Sequence, residues 1–375
     1  MKKINPFVIT GYVSPEYFCD RENESIELIR LLQNGNNVTL IASRRMGKTG
    51  LISHCFENEE IKQNFRTFFV DIYATKSLND FVFLLSKNIL SQLKPFGIKA
   101  IEGFLSAIKS LRTELSYDAA GVPSLSIGIG QIERTEQSLD EIFDYLNKSD
   151  KPCIVAIDEF QQIASYPEKN AEALLRTYVQ RCPMVRFIFA GSQRHLMGTM
   201  FLSAARPFFA SASMIYLESI NRERYANFAQ KHFSDADKYV DNKCFETIYD
   251  TFGGVTWYVQ KVLNEVFSQT SASEIFNLDN LPVVISKIVE SYKYYFFDSL
   301  FRLPDKQSKL LIAMAKEGQV KNPTSSIFVK KYNLVSASSV QAALNGLLEK
   351  DFITREQNFY LVYDRFFALW LKENY

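Results

Sequence analysis

The sequence predicts an α/β protein in which helices cover both faces of a parallel sheet, followed by a helical region and a winged helix. Short apolar runs alternate with segments of helical periodicity up to about residue 217, which is the pattern of a buried parallel sheet. From residue 221 onward helical segments follow one another, and two strand-like runs come near the end. The chain is too long for one ordinary domain, so we predict three domains at 1–220, 221–300 and 301–375.

The elements of the first domain are predicted from the spacing of apolar residues and from the residues that begin or end helices and strands. Strands are predicted at 38–41, 66–72, 153–157, 186–190 and 214–217. A helix is predicted to begin after Asp20, an N-cap residue with acidic residues behind it, and to end near Gln33. Further helices are predicted at 48–56, 81–93, 101–115, 138–147 and 170–180. Ser138 with Glu141 has the spacing of a capping box, and 122–131 is predicted to form a small hairpin or an extended insert.

The second half of the chain is predicted to be mainly helical. Helices are predicted at 221–232, 241–251, 256–269, 279–296, 306–316 and 336–350, and strands at 352–354 and 359–363. Helices followed by two short strands are typical of a winged helix. The aromatic stretch 292–301 (YKYYFFDSLF) is predicted to be a core or domain-interface helix rather than a lipid anchor.

Composition excludes some classes of protein. The chain has 375 residues, 47% of them hydrophobic and 23% charged, and its net charge is +1 from 43 basic and 42 acidic residues. This balance argues neither for nor against a nucleic-acid partner. No apolar run approaches the roughly 20 residues of a membrane span, and the first ten residues do not resemble a signal peptide. We therefore expect a cytoplasmic protein with no membrane partner.

The cysteines and histidines do not predict a metal site. The five cysteines are widely scattered without a CxxC pair, and the three histidines have no metal-ligand spacing. A zinc site or a disulfide framework would need regular spacing. Buried, reduced thiols are the expected state of all five cysteines.

Residues 42–49 fit the phosphate-loop (Walker A) pattern G-x-x-x-x-G-K-[ST] except at the first position, where Ala42 replaces glycine. The segment lies between a predicted strand and a predicted helix, where backbone N–H groups can point at a phosphate. Lys48 is expected to reach the β- and γ-phosphates, and the Thr49 hydroxyl to bind Mg²⁺. A left-handed Ala42 would cost about 1 kcal/mol; the alternative is a basic surface loop. The predicted nucleotide-binding residues of this segment are Ala42, Ser43, Arg44, Arg45, Met46, Gly47, Lys48, Thr49 and Gly50.

A second (Walker B-like) motif is the apolar run that ends in Asp158 and Glu159. The carboxyl ends of parallel strands are where such sheets place their sites. Asp158 is expected to hold Mg²⁺, directly or through water, and Glu159 to orient or deprotonate the attacking water. The alternative is that both acids cap the following helix. One predicted strand, 66–72, separates the two motifs in sequence. That order, with Glu159 beside Asp158, resembles the additional-strand, catalytic-glutamate branch of P-loop ATPases rather than small GTPases or simple kinases.

Seven segments spread over the chain carry a family resemblance. They are NPF at 5–7, YFCDRE at 17–22, ASRRMGKT at 42–49, VAIDEFQQI at 155–163, IFAGSQRHLM at 188–197, ARPFF at 205–209 and YDRFFALWL at 363–371. Together they resemble the archaeal-type ATPase family, a group of AAA+/STAND-like ATP-binding proteins. The resemblance implies an AAA+-like P-loop NTPase core, a helical lid and a C-terminal winged helix, with ATP and Mg²⁺ as cofactors.

The resemblance also implies roles for single residues. A polar residue that senses the γ-phosphate is expected at Ser192 or Gln193, and helix capping by Ser192 is the alternative. Tyr17, Phe18 and Arg21 are expected near the adenine. The preference for ATP over GTP comes from the resemblance alone, because no base-reading motif is visible.

Other features of the family pattern stay open. Arg206 is either an arginine finger that reaches a neighbour's γ-phosphate or a surface ion pair. Arg44 and Arg45 are either phosphate neighbours or solvated loop charges. A G-x-P motif contacts the nucleotide in the lid of STAND-like proteins, but Thr256 stands here in the place of proline, which puts such a contact in doubt.

Three functions are compatible with these motifs. The first is an ATPase switch in which Lys48, Glu159, Ser192 and Gln193 act on ATP. The second is a nucleotide-gated binding module with little turnover, and the third is a DNA-binding protein with an auxiliary ATPase. The expected recognition helix, 335–350, has one lysine and no arginine, which is poor for phosphate contacts. An unidentified protein partner is therefore favoured, DNA stays open because of the lysines within 321–331, and the oligomeric state is undecided.

Overall fold

A computed structural model describes residues 5–110, 114–117, 123–126, 134–356 and 358–375. The chain divides into two compact units. One contains residues 8–225, and the other contains residues 226–375 with the described N-terminal residues up to Phe7. The predicted domain boundaries after residues 220 and 300 remain predictions. In the described parts of the chain, no helix has both the length and the apolar character that a bilayer span requires.

The unit of residues 8–225 is built around a parallel five-stranded sheet. The sheet contains β1 (Val38–Ile41), β2 (Arg66–Asp71), β5 (Cys153–Asp158), β6 (Val185–Gly191) and β7 (Ser213–Tyr216). Strands β3 (Glu114–Tyr117) and β4 (Pro123–Ser126) form a separate hairpin. The sheet order is β2-β5-β6-β1-β7, and all its pairs are parallel. The predicted fold class and all five predicted sheet strands are confirmed.

Eight helices lie wholly within this unit among the described residues. They are α1 (Glu22–Gln33), α2 (Lys48–Phe56), α3 (Glu59–Asn64), α4 (Leu78–Leu93), α5 (Ile98–Ala107), α6 (Thr135–Asn147), α7 (Ala171–Arg181) and α8 (Arg194–Leu202). Every residue of β1 and β5 is buried, as expected for strands covered on both faces. The bounds of α2 agree with the predicted 48–56.

The prediction of a helix over 101–115 is wrong in its second half. Helix α5 ends at Ala107 because Ile108 adopts φ −101° and ψ 76°, and the Ile108 side chain is buried at this bend. The chain then pairs Glu114–Tyr117 with Pro123–Ser126 as an antiparallel hairpin. Of the segment 122–131, predicted as a small hairpin or an extended insert, Pro123–Ser126 is an extended strand paired with Glu114–Tyr117, and the remaining residues lie outside the described ones.

Two predicted N-caps are also wrong. Ser138 lies inside α6, where its hydroxyl donates to the carbonyl of Arg134, and Glu141 accepts hydrogen bonds from the backbone and hydroxyl of Ser110. Asp20 does not cap α1, because Arg21 occupies the N-cap position with φ 75°. The Asp20 carboxylate instead accepts a hydrogen bond of 2.7 Å from Arg224.

The register of the sheet brings four strand ends to one edge. Ile41 at the end of β1 is level with Gly191 of β6, and Asp71 of β2 is level with Asp158 of β5. Strand β6 lies between β1 and β5, so the additional strand that separates the two predicted motifs in space is β6 rather than β2. All polar residues that follow these strands therefore share one edge of the sheet.

The unit of residues 226–375 is helical and ends in a hairpin and a last helix. Its elements, with α9 shared between the units, are α9 (Arg222–Ser234), β8 (Tyr239–Val240), α10 (Asn242–Thr251), α11 (Thr256–Gln269), β9 (Ile275–Phe276), α12 (Leu281–Ser291), α13 (Lys293–Phe301), α14 (Asp305–Glu317), α15 (Ser326–Lys331), α16 (Ala337–Glu349), β10 (Ile353–Glu356), β11 (Phe359–Val362) and α17 (Arg365–Asn374). Strands β10 and β11 pair antiparallel, so the predicted order of helices and wing is confirmed.

The aromatic stretch 292–301 is less buried than predicted. The predicted single helix 279–296 is two helices that meet at Tyr292. In α13 only Phe296 and Leu300 are buried, whereas four large side chains are more than half exposed. These four are Tyr294, Tyr295, Phe297 and Phe301. The core alternative of that prediction is therefore wrong for this face of α13, and the domain-interface alternative stays a prediction. By contrast, all five cysteines are buried and unpaired, as predicted.

Candidate active site

The loop between β1 and α2 turns through two residues with positive φ, Arg45 at 68° and Gly47 at 92°. Gly47 is the residue before α2, and its carbonyl accepts the N–H of Leu51 at 3.0 Å. A Cβ added to Gly47 would meet no atom within 4 Å. Glycine is therefore required here by the left-handed backbone rather than by lack of space.

Ala42 corrects one expectation about the loop. It is absent from the residues with positive φ, so the left-handed strain expected for alanine does not arise. Ala42 instead extends β1: its N–H donates to the carbonyl of Gly191 at 3.2 Å, and its side chain is fully buried. A small apolar residue fits this position without cost.

Four side chains from the two motifs meet at the sheet edge. The Lys48 ammonium lies 3.7 Å from Oδ1 of Asp158 and 3.5 Å from Oε1 of Glu159. The Thr49 hydroxyl donates to Oδ2 of Asp158 at 2.6 Å. Lys48 and Asp158 are each about 5% exposed, at 6% and 4%. Two carboxylates and one ammonium are therefore held together in a largely buried group, with the exposed Thr49 at its edge.

The environment of Glu159 favours its charged form. Burial by itself raises the pKa of Glu159, but the Lys48 ammonium, hydrogen bonds from Ser192 and Gln161, and the charge of Arg44 together lower that pKa below its ordinary value. Glu159 has φ 57°, a left-handed conformation that is costly for a non-glycine residue. Such a backbone persists only where its surroundings hold it in place.

Asp71 is a site residue that the sequence analysis did not single out. It ends β2 beside Asp158 and accepts the N–H of Tyr73 at 2.9 Å. Burial, followed by the charges of Asp158 and Glu159, raises the pKa of Asp71. Its position at the end of a predicted strand was a signal that could have identified it.

Of the two polar residues that follow β6, Ser192 contacts Glu159 and Gln193 does not. The hydroxyl of Ser192 donates to Oε2 of Glu159 at 2.7 Å, whereas Gln193 is exposed and precedes α8 without a side-chain cap bond. Gln161 also reaches Glu159: its Nε2 lies 2.5 Å from the same Oε2. The sequence does not distinguish Gln161 from Gln162, and only the 3₁₀ turn after β5 places it there.

The basic residues of the loop differ in their surroundings. The Arg44 guanidinium lies 5.2 Å from the ring centre of Tyr73, which follows β2. Ser43 and Arg45 are half-buried, and Met46 is buried. Arg44 therefore adds positive charge on the side of the loop that faces the carboxylates.

The segment before α1 packs against the other side of α2. Phe18 stacks on His54 with ring centres 4.5 Å apart, and a Cβ added to Gly50 would lie 3.4 Å from the Phe18 ring. Tyr12 donates to or accepts from Nδ1 of His54 at 3.0 Å, and burial lowers the pKa of His54. Tyr17 is half-buried in the short helix that precedes Phe18.

Arg21 binds the backbone of this region. Its guanidinium is buried, donates to the carbonyls of Met46 at 3.3 Å and Glu218 at 2.7 Å, and pairs with Glu24 at 2.8 Å. Arg194 contacts the same segment after β7, through the Glu218 carboxylate. Arg21 thus ties the phosphate loop to the chain that follows β7.

Arg206 lies outside this group of side chains. Arg206 forms an ion pair with the buried carboxylate of Glu172 on α7, which is the ion-pair alternative for this arginine. Burial raises the pKa of Glu172 in spite of Arg206. Thr256 begins α11 in the other unit, after Gly253 and Gly254, which both have positive φ.

Comparisons with known families match both units of the chain. The family model of an ATPase domain predominantly from Archaea matches residues 18–262, and that of a probable winged helix domain matches residues 294–373. The first match covers more than half of the chain. A search of curated proteins gave no match.

Solved structures share the fold over nearly the full length. A Walker-type ATPase of Pyrococcus abyssi is 18% identical, with 98% of this chain and 99% of that chain covered and a TM-score of 0.67. The ORC2 protein of Aeropyrum pernix, in ADPNP–ADP complexes, is 14% identical over 99% and 96% of the two chains, with a TM-score of 0.63. The ORC1 protein of the same organism, in complex with DNA, is 11% identical over 96% and 94%, with a TM-score of 0.54. At these identities the likeness shows the fold alone.

Proposed function

Since the chain belongs to the family of ATPase domains found predominantly in Archaea, we propose that it binds Mg-ATP at residues 42–49 and hydrolyses it to ADP and phosphate as a nucleotide-dependent switch. The observation that carries the proposal is the meeting of Lys48, Thr49, Asp158 and Glu159 at one sheet edge. A structural cluster would not need a loop with two left-handed residues in front of a helix N-terminus. An anion site does, because that turn aims backbone N–H groups at the ligand.

Lys48 is proposed to change partners when the nucleotide binds. In the structure its ammonium lies 3.5–3.7 Å from the carboxylates of Asp158 and Glu159 and offsets part of their negative charge. The β- and γ-phosphates carry more negative charge than these carboxylates and attract the ammonium toward the loop. Glu159 then loses its cation and can act on water. ATP binding and the release of the catalytic carboxylate are therefore coupled through one side chain.

The residues at the sheet edge fit a magnesium ion. The hydroxyl of Thr49 and the carboxylate of Asp158 converge at 2.6 Å, and hard oxygen ligands are those that Mg²⁺ prefers. Among the residues that the structure describes, no group of three or more His, Cys, Asp or Glu side chains surrounds a metal position, so phosphate oxygens and water would complete the ligand set, as is usual for Mg²⁺. Bound Mg²⁺ would supply neutralisation of the charge on the phosphates.

Glu159 is proposed to accept the proton of the attacking water. The water oxygen forms a bond to the γ-phosphorus while the bond between that phosphorus and the β–γ bridging oxygen breaks. The electron pair of the broken bond stays on ADP, and the water proton passes to Glu159. In the structure, against the effect of burial, the charge of Lys48 and the hydrogen bonds from Ser192 and Gln161 lower the pKa of Glu159, so the carboxylate is ionised before ATP binds. When Lys48 turns to the phosphates, its lowering effect on this pKa is lost and Glu159 becomes a stronger base. Ser192 is proposed to sense the γ-phosphate from its position beside Glu159, and Gln193 stays a weaker alternative because it is exposed.

The adenine is proposed to lie against the segment before α1. Phe18 with Tyr17 gives an aromatic surface before α1, and the Phe18 ring lies close to Gly50 of α2, 3.4 Å from where a Cβ would be. Arg21 contributes by fixing the phosphate loop through Met46. The preference for ATP over GTP remains part of this proposal, as do the remaining nucleotide contacts of Ala42, Ser43, Arg44, Arg45 and Gly47.

A second function is a nucleotide-gated module that binds DNA or a protein through the winged helix. The ORC1 neighbour was solved with DNA, and Lys321 and Lys330 are exposed. Two other lysines have partners: Lys331 pairs with Glu317 at 2.5 Å, and the amine of Lys350 donates to the amide oxygen of Gln307 at 3.0 Å. We therefore favour a protein partner in the cytoplasm. The oligomeric state and the three-domain division stay as proposed from the sequence.

The proposal is tested by steady-state phosphate release with Mg-ATP, with and without duplex DNA, for the wild-type protein and Glu159→Gln. Turnover that the variant lacks is the expected result. Stimulation by DNA would favour the DNA-coupled form of the switch. Tight ATP binding without turnover in the wild-type protein would contradict hydrolysis and favour the nucleotide-gated module.

A further inference from the structure

A buried glutamine amide lies against the carboxylate that is proposed to act on water. We infer that Gln161 is a positioning residue: it holds one oxygen of Glu159 so that the other oxygen faces the nucleotide. This inference rests on the proposed ATPase function and extends it to a residue that neither motif contains.

The two oxygens of Glu159 have different neighbours. Oε2 accepts from Nε2 of Gln161 at 2.5 Å and from the hydroxyl of Ser192 at 2.7 Å. Oε1 faces the Lys48 ammonium at 3.5 Å. When Lys48 turns to the phosphates, Oε2 keeps both of its neutral donors, and Oε1 becomes the oxygen that can accept a proton. The orientation of the carboxylate is then set by Gln161 and Ser192 alone.

Packing does not by itself explain a glutamine at this position. Gln161 is 4% exposed, and its Oε1 has no hydrogen-bond partner among the described residues. A buried amide oxygen without a partner is unfavourable, so an apolar side chain of the same size would suit a purely structural role better. The hydrogen-bonding function of the side chain is directed to Glu159 and Ser192 through Nε2.

The backbone around Gln161 is shaped to bring the amide back to Glu159. Glu159 has φ 57°, and the 3₁₀ turn Phe160–Ser165 follows it directly. Gly191 at the end of β6 makes room, since a Cβ there would lie 2.6 Å from Oε1 of Gln161 and 2.5 Å from the sulfur of Met197. The left-handed backbone of Glu159 and the missing Cβ of Gly191 thus both favour the contact between Gln161 and Glu159.

The test compares Gln161→Met with Gln162→Met. Methionine keeps the length of the side chain and removes the N–H donor. Gln162 is the matched control, because it lies on the same turn but donates to the carbonyl of Thr75 and to Ser165. The measurements are kcat for phosphate release and the Kd for ATP. We expect Gln161→Met to lower kcat by about 10- to 100-fold, the effect of one hydrogen bond to a charged group, while Kd changes less than about two-fold and the control keeps its kcat.

A second comparison guards against a general loss of structure. A double-mutant cycle is completed by Ser192→Ala and by the double variant Gln161→Met/Ser192→Ala. Thermal melting of each variant checks that it is folded. Because both donors hold one oxygen, we expect the double variant to lose less than the product of the single losses. Unchanged kcat in Gln161→Met, equal losses in kcat and affinity, or a multiplicative double variant would overturn the inference. Absence of turnover in the wild-type protein would instead overturn the proposed function, and the positioning role of Gln161 with it.

Discussion

Replacing Lys48 with methionine should destabilise the nucleotide-free protein in a pH-dependent way. Lys48 is buried between two carboxylates whose side chains are 6% and 13% exposed. Methionine fills much of the same volume but leaves both charges without their cation. Breaking a buried ion pair by removal of one partner costs about 3–5 kcal/mol. We expect a loss near the lower bound, about 3 kcal/mol, because Thr49 still donates to Asp158 and Ser192 to Glu159.

The sign of the pH effect follows from Glu159. In the wild-type protein its lowered pKa adds stability that is present above the unfolded value of 4.5 and is lost as pH falls through the folded value. Without Lys48, burial becomes the dominant influence and raises that pKa. The variant then carries a penalty that is full at neutral pH and disappears as Glu159 takes up a proton. The difference between the two proteins should therefore be largest near pH 7.5 and shrink below about pH 5.

Thermal melting in EDTA at a series of pH values measures this difference. For a unit of this size about 2–4 °C in Tm corresponds to 1 kcal/mol, so we expect a decrease of about 6–12 °C at neutral pH. Lys62→Met is the control, because Lys62 is 44% exposed and pairs with Glu57 on the surface; its Tm should change by little. A loss of stability in Lys48→Met that is the same at about pH 4 and about pH 7.5 would contradict the role of Glu159 in this pH dependence.

Three further substitutions test the loop. Ala42→Gly restores the family pattern, yet it should lower stability by about 0.4–1 kcal/mol in urea unfolding, because Ala42 has no positive φ; a gain would contradict the extended backbone. Gly47→Ala should weaken ATP binding in calorimetry, because a φ of 92° strains any L residue by about 1–2 kcal/mol. Unchanged affinity would argue against this turn. Arg21→Lys keeps the charge but loses the guanidinium contacts to the carbonyls of Met46 and Glu218, so its affinity for ATP should fall. The control Arg30→Lys, at an exposed arginine, should bind ATP normally. Equal affinities of the two variants would show that Arg21 does not support the loop.

Much of the ATPase core could be predicted because its signals are local. The loop and α2 follow from a contiguous pattern in which each residue type has a geometric reason, and β5 is an apolar run that ends in acids. The C-terminal hairpin was predicted for the same reason. Ala42 shows the limit of this approach: a pattern position says which residue is usual, whereas the backbone angle decides whether another residue is strained.

The remaining errors concern contacts between distant parts of the chain. Ser138 has the spacing of a cap, but Glu141 is engaged by Ser110, and α6 begins one turn earlier. Asp20 fails as a cap because Arg224, about two hundred residues away, takes its carboxylate. Gln161 depends on the turn that follows Glu159 and on the missing Cβ of Gly191. None of these partners is visible from sequence spacing.

ATP binding at Lys48 and hydrolysis with the help of Glu159 can be tested together. Wild-type protein, Glu159→Gln and Lys48→Ala are incubated with Mg-ATP and rapidly separated from free nucleotide, and the identity and amount of the bound nucleotide are measured. We expect ADP on the wild-type protein, intact ATP on Glu159→Gln and almost no nucleotide on Lys48→Ala. Full occupancy of Lys48→Ala, or ADP on Glu159→Gln at the wild-type level, would contradict this expectation.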